Sequence, residues 1–141
     1  MELDVKTLNR YSKRDHKWLL AKAQEAFNKH IRLRDMIGTD TFRCISCGLI
    51  KHKQWLNAGH YLSVGQHSSV RFHEDNVHSQ CLQCNKHLHS NAVHYRINLV
   101  KLIGAERVEH LESIGRQPHK WERIDLIVII ETYRAKCRAM T

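Results

Sequence analysis

The sequence predicts an α+β fold in which a small treble-clef-like hairpin and helix is embraced by longer helices at both chain ends. Three observations carry this. Apolar residues recur at helical spacing near both ends, the stretch from Thr39 to Gln80 replaces that spacing with glycines, histidines and short alternating runs, and two Cys-x-x-Cys pairs bracket the stretch. At 141 residues the chain suits one compact domain better than two with separate cores. A single domain over 1–141 is expected, with a basic N-terminal helix in 1–40, the core in 41–104 and C-terminal helices in 105–141.

The first helix is expected from Ser12 to about Ile37. Ser12 and Asp15 form a start resembling a capping box, Trp18, Leu19, Ala23, Ala26, Phe27, Ile31 and Leu33 follow helical spacing, and Gly38 suits the stop. Runs such as Trp55 to Tyr61 suit strands. A second helix, continuous or with one break, is expected to begin near Cys81 and to reach Gly104, followed by a short amphipathic helix from Ala105 to Ser113. Gly115 to His119, with the sole proline, reads as a turn, and Lys120 to Met140 as the last helix.

The formal charge of +9 points to a polyanionic partner, since clustered Lys and Arg displace counterions from phosphates. Met1 to Lys53 holds twelve Lys and Arg against six acids. The basic face of the first helix is either a phosphate rail or a solvated surface. No signal-peptide pattern and no apolar run of membrane-spanning length occurs, which predicts a cytoplasmic protein with no membrane partner.

Reduced thiols in that compartment turn attention to metal. Cys44, Cys47, Cys81 and Cys84 make a four-thiolate tetrahedral site for one structural Zn²⁺ per chain, with Gly48 suited to a tight knuckle turn. Two redox pairs are the competing reading. Cys137 stands alone on the last helix as a small apolar residue.

Ala58-Gly59-His60-Tyr61 begins eleven residues after Cys47, and Asn76 lies five residues before Cys81. A histidine, an asparagine about sixteen residues later and a polar residue after the last cysteine pair resemble the His-Asn-His (ββα-metal) nuclease pattern. Cys-Ile-Ser-Cys-Gly at 44–48, Ala-Gly-His-Tyr at 58–61, Arg71-Phe72 ahead of Asn76, Cys81-x-x-Cys84-Asn85 and Tyr95-Arg96 before Gly104 narrow this. Together they resemble the NinG (Rap) recombination proteins of lambdoid phages, over nearly the whole chain.

That resemblance implies a dimeric, metal-dependent endonuclease acting on Holliday junctions and D-loops in the bacterial host cell. It assigns His60 as general base, Asn76 as the residue bracing the hairpin, and the four cysteines as zinc ligands. The set for a catalytic Mg²⁺ or Mn²⁺ is incomplete, because Gly59 stands where such nucleases often carry aspartate. Asn85 and His87 are the candidates, with Asn57 and His78 in reserve. Lys13, Arg14, Lys17, Arg43, Lys51, Lys53, Arg71, Lys86 and Arg96 are the candidate DNA contacts.

The alternatives are a non-catalytic zinc-stabilised DNA-binding accessory protein and a zinc-held protein adaptor. A homodimer is also expected. Trp121, Ile124, Leu126 to Ile130, Tyr133 and Cys137 cover more of the last helix than one core contact needs, the other use being a central helix wrapped by its own chain.

Overall fold

The computed structural model describes residues 1–141. It contains helices α1 (Val5–Arg10), α2 (His16–Asp35), α3 (Ala92–Ile103), α4 (Ala105–Gly115) and α5 (Arg123–Ala139). Strands β1 (Met36–Ile37), β2 (Thr41–Arg43) and β3 (Ile50–His52) form one antiparallel sheet, and β4 (Leu56–His60) pairs antiparallel with β5 (Val77–Cys81). The class is α+β, as the sequence predicts. Two compact units emerge, Met1–His30 with Lys120–Thr141, and Ile31–His119.

The helix expected from Ser12 to about Ile37 is α2, which starts four residues later at His16, and a further short helix, α1, precedes it. Asp4 caps α1 by accepting from the Thr7 N–H at 2.7 Å, and Asp15 accepts from the Trp18 N–H at 2.8 Å at the start of α2. A carboxylate there satisfies an orphan N–H and meets the positive end of the helix dipole, so Asp15 rather than Ser12 sets the start. Lys13 and Arg14 consequently precede α2, and the Arg14 guanidinium stands 4.6 Å over the Trp18 ring.

Helix α5 starts where the Asp125 carboxylate accepts from the Glu122 N–H at 2.9 Å. It buries Leu126, Ile127, Ile130, Tyr133 and Cys137 in the single chain. Phe27 meets Tyr133 edge-on at 4.8 Å, and the Arg10–Glu131 ion pair closes the outside. The apolar excess on α5 is thus largely covered by its own chain, while Ile124 stays exposed.

The second unit is built on two apolar clusters. Val70, Tyr95, Leu99, Val108 and Leu111 pack α3 and α4 together, while Phe42 packs with Cys44, Cys81 and Cys84. Cys81 ends a strand instead of opening a helix. One wide turn, Gln83–His87, follows it. His89, Ser90 and Asn91 then take positive φ before α3 begins. That break turns the Ser90 carbonyl toward Gln80 Nε2 and Ser46 Oγ, both of which donate to it. Gly104, at φ +90°, ends α3 at the expected place.

Ile127 is 2% exposed, so Ile127→Glu tests this core and not a contact between copies. A carboxylate forced into such a site destabilises by several kcal/mol. The variant is expected to lower the thermal midpoint sharply, whereas Ile124→Glu leaves it nearly unchanged; equal midpoints for the two would contradict this packing.

Candidate metal centre and hairpin site

The first cysteine pair sits on a knuckle turn. Gly48, at φ +77°, lets its N–H reach the Cys44 carbonyl at 2.9 Å. The second pair spans the end of β5 and the turn after it. The four sulfurs lie within 4.8 Å of one another. Tetrahedral zinc with bonds of about 2.3 Å needs sulfurs about 3.8 Å apart, so a small closure completes the site.

The donor chemistry fits a cation. Burial opposes ionisation of Cys44, but N–H groups of Cys81, Cys47 and Ser46 outweigh it and lower the thiol's pKa. The Cys81 N–H reaches Cys44 Sγ at 3.3 Å and the Cys47 N–H at 3.5 Å. Burial raises Cys47 and pushes Cys84 up to about 12, with neighbouring thiols adding to the effect. Four thiolates cannot crowd together without a compensating charge, which a divalent metal such as zinc supplies.

From this centre the chain runs directly into the hairpin. Leu56 pairs with Cys81 at one end and His60 with Val77 at the other. The Ile45 N–H donates to the Ser79 carbonyl at 2.9 Å, and Asn98 Nδ2 donates to the Ile45 and Ser46 carbonyls at 2.8 and 3.0 Å, tying the knuckle to β5 and α3. Arg34 donates to the Val77 carbonyl at 2.7 Å, and Asp35 accepts from the Ser79 N–H at 2.8 Å.

Asn76 is fully buried. Its Oδ1 accepts from the Leu62 N–H at 2.8 Å, and its Nδ2 donates to the Leu62 and Val70 carbonyls at 3.0 and 3.2 Å. One side chain therefore fastens both arms of the long connection between β4 and β5. His60, at the end of β4, places Nε2 3.0 Å from the Arg71 carbonyl. Burial lowers its pKa, against the opposing pull of the Arg71 and Ala58 carbonyls. The imidazole is therefore neutral at pH 7 and able to accept a proton.

The candidate catalytic-metal ligands Asn85 and His87 share the turn Gln83–His87 after β5. The four cysteines are the one cluster of three or more His, Cys, Asp or Glu donors close enough for an ion. His87 is exposed and lines a cavity with Lys51, Trp55, Cys81, Leu82 and Gln83, a set without His60 or Asn85. Register and pleat put Asn57, Gly59, His78 and Gln80 on one hairpin face and His60 on the other. The His78 ring is 6% exposed, and burial followed by Arg34 pushes its pKa down to about 4.

Gln80 is the residue the sequence concealed. A Cβ on Gly59 would stand 2.0 Å from Gln80 Oε1 and 2.7 Å from Gln80 Cβ. Gln80 Nε2 is held by Ser46 Oγ at 2.9 Å and by the Ser90 carbonyl. Tyr95 also reaches this face, donating to the Gly59 carbonyl at 2.7 Å. Gly59 is therefore set by packing, and a carboxylate in its place requires Gln80 to shift. Strand alternation hints at the pairing of 59 with 78 and 80, but the register depends on the long connection, which has no readable turn signal.

The basic candidates divide as well. Lys13, Arg14 and Lys17 belong to the first unit, the rest to the second. Arg96 gives its guanidinium to Glu112 through two bonds of 2.9 Å while its side chain stays partly exposed. Arg71 is half-buried, 5.3 Å over Phe72. Arg43, Lys53 and Lys86 are exposed and Lys51 is half-exposed.

Two outcomes follow from this geometry. Cys84→Ser is expected to lose bound zinc and lower the melting temperature, and a variant with full zinc and an unchanged midpoint would contradict the four-thiol site. Gly59→Asp is expected to destabilise by at least about 1–3 kcal/mol through overpacking against Gln80, read by urea unfolding, with an unchanged midpoint counting against the close approach.

The family described as "Bacteriophage Lambda NinG protein" matches residues 3–141. Protein ninG of Escherichia phage lambda is 38% identical over 119 residues, covering 84% of this chain and 55% of its own length. Protein ninG of Salmonella phage P22 is 37% identical over 119 residues, 84% of this chain and 56% of its own, and that of Enterobacteria phage H19B is 40% identical over 102 residues, 72% and 48%. The chain thus spans about half the length of the curated relatives it matches. No solved structure matches. On the family match and these identities, the chain belongs to the NinG family of lambdoid phage proteins.

Proposed function

We propose that this chain is a structure-specific endonuclease that cuts branched DNA, Holliday junctions and D-loops, during phage recombination in the host cytoplasm. The observation that carries the reading is His60: a neutral, largely buried imidazole at the end of a hairpin whose connection is fastened by Asn76 and whose other end is a four-thiol centre. These features support the reading of a ββα-metal nuclease core.

In the proposed reaction water attacks a backbone phosphorus and the bond to the leaving oxygen breaks. The Arg71 carbonyl favours the tautomer with the proton on Nε2, which places the accepting lone pair on Nδ1 of His60. Asn76 acts as a positioning residue through the backbone. Mg²⁺ or Mn²⁺ would supply neutralisation of developing negative charge on the phosphate. The residues present form no preassembled cage for it, so Asn85 and His87 enter the proposal only as separate donors.

The net charge of +9 and the exposed Lys13, Lys17, Arg43, Lys53 and Lys86 support binding to phosphates, with the half-exposed Lys51 beside them. Such contacts orient a duplex without reading sequence. A homodimer belongs to the proposal because two symmetric cuts need two sites. The missing ligand cage and the blocked Gly59 favour a second reading, a zinc-stabilised DNA-binding accessory protein without catalysis.

A synthetic four-way junction with Mg²⁺ or Mn²⁺ separates the two. The wild type is expected to cut it, and His60→Ala to lose about two to four orders of magnitude in rate while still binding. Because burial lowers the His60 pKa, activity should be full at pH 7 and fall only as acid protonates the ring below the ordinary imidazole range. Equal cutting by His60→Ala overturns the mechanism, and binding without cutting by the wild type selects the accessory reading.

A further inference from the structure

Trp55 is unusual in its surroundings. It is 46% exposed at the end of a short 3₁₀ turn, Lys53–Trp55, immediately before β4. It lines a cavity of about 210 Å³ together with Lys51, Leu82, Gln83, His87 and the metal-centre residue Cys81. No acid lines that cavity. Lys53 beside it has only the exposed partner Asp40, at 3.3 Å, a pairing that salt screens and that a phosphate can replace.

We propose that Trp55 is a stacking platform for one unpaired nucleobase of the DNA, with Lys51 and Lys53 holding the flanking phosphates. An exposed indole with lysines beside it suits an aromatic ring carried on an anionic backbone, and stacking on an aromatic tolerates any base. The cavity accepts a single ring system and is too small for a helix. A continuous duplex offers no base face, so the occupant is a single strand or the unpaired base at a branch. Trp55 and His60 are separated by one strand, about 16 Å at about 3.3 Å per residue, so a base held here sets the position of the phosphate near His60.

The inference rests on the DNA-binding part of the function proposed above and is tested without cleavage. In the W18F/W121F variant Trp55 is the remaining tryptophan, and its fluorescence is followed, in buffer without added divalent metal, during titration with an eight-nucleotide oligothymidylate and with a blunt duplex. Wild-type protein is titrated in parallel with the same oligonucleotide carrying one 2-aminopurine. Saturation with the single strand is expected to quench Trp55 and change the 2-aminopurine signal, while the duplex leaves Trp55 nearly unchanged.

Trp55→Ala is expected to weaken single-strand binding about tenfold, and Trp55→Phe much less. Bound oligonucleotide without either optical change, or Trp55→Ala within twofold of wild type, overturns the platform. Failure to bind any DNA overturns it as well, and a fluorescence change with protein concentration alone assigns the surface to contact between copies instead. Metal-dependent junction cutting without quenching rejects the platform alone, whereas quenching without cutting rejects the nuclease and leaves the platform standing.

Discussion

Four sulfurs within 4.8 Å of one another are the constraint on which the second unit depends. They come from two places in the chain, the knuckle after β2 and the junction of β5 with the turn that follows. Burial, with the neighbouring thiols adding to it, raises the pKa of Cys47 and Cys84, and N–H groups pull Cys44 the other way. A cation bound there would resolve that conflict and anchor one end of the β4–β5 hairpin. The apolar contact of Phe42 with three of these cysteines is small, so the centre substitutes for core that a region this short cannot build.

The far end of the hairpin is organised by hydrogen bonds. Asn76 uses both ends of its amide on Leu62 and Val70, which converts a long connection into a fixed frame around His60. Gln80 fills the opposite face against Gly59, and Tyr95 ties that face to α3. The hairpin thus ends in a four-thiol centre suited to a metal on one side, is held by amide groups at the other and by close packing between. Such rigidity suits the proton acceptor proposed at His60, and an unpaired base seated at Trp55 would use the same strand as its ruler.

What was legible in the sequence is what local chemistry demands. The spacing of Cys44 with Cys47 and of Cys81 with Cys84 is imposed by tetrahedral ligation, and Gly48 and Gly104 mark backbone that other residues adopt with strain. Strand β5 was hidden. Val77–Cys81 is buried on both faces yet mostly polar, because His78, Ser79 and Gln80 face built surroundings rather than water, so no apolar alternation betrays the strand. The position of the break before α3 carries no local mark, since the positive φ at His89, Ser90 and Asn91 serves a distant partner, Gln80, and involves no glycine. The start of α2 was misplaced because Ser12 and Asp15 both suit a cap, and only the geometry of the preceding turn chooses between them.

Hydrogen exchange on zinc-loaded and zinc-depleted protein tests most directly whether the thiol centre organises the hairpin. The Leu62 N–H on Asn76, the Ser79 N–H on Asp35 and the Cys81 N–H on Cys44 report its two ends and its middle. Removal of zinc is expected to abolish protection at all three while the amides of α5 keep theirs. Unchanged protection at Leu62 and Ser79 in zinc-free protein would contradict the dependence of the hairpin on the metal.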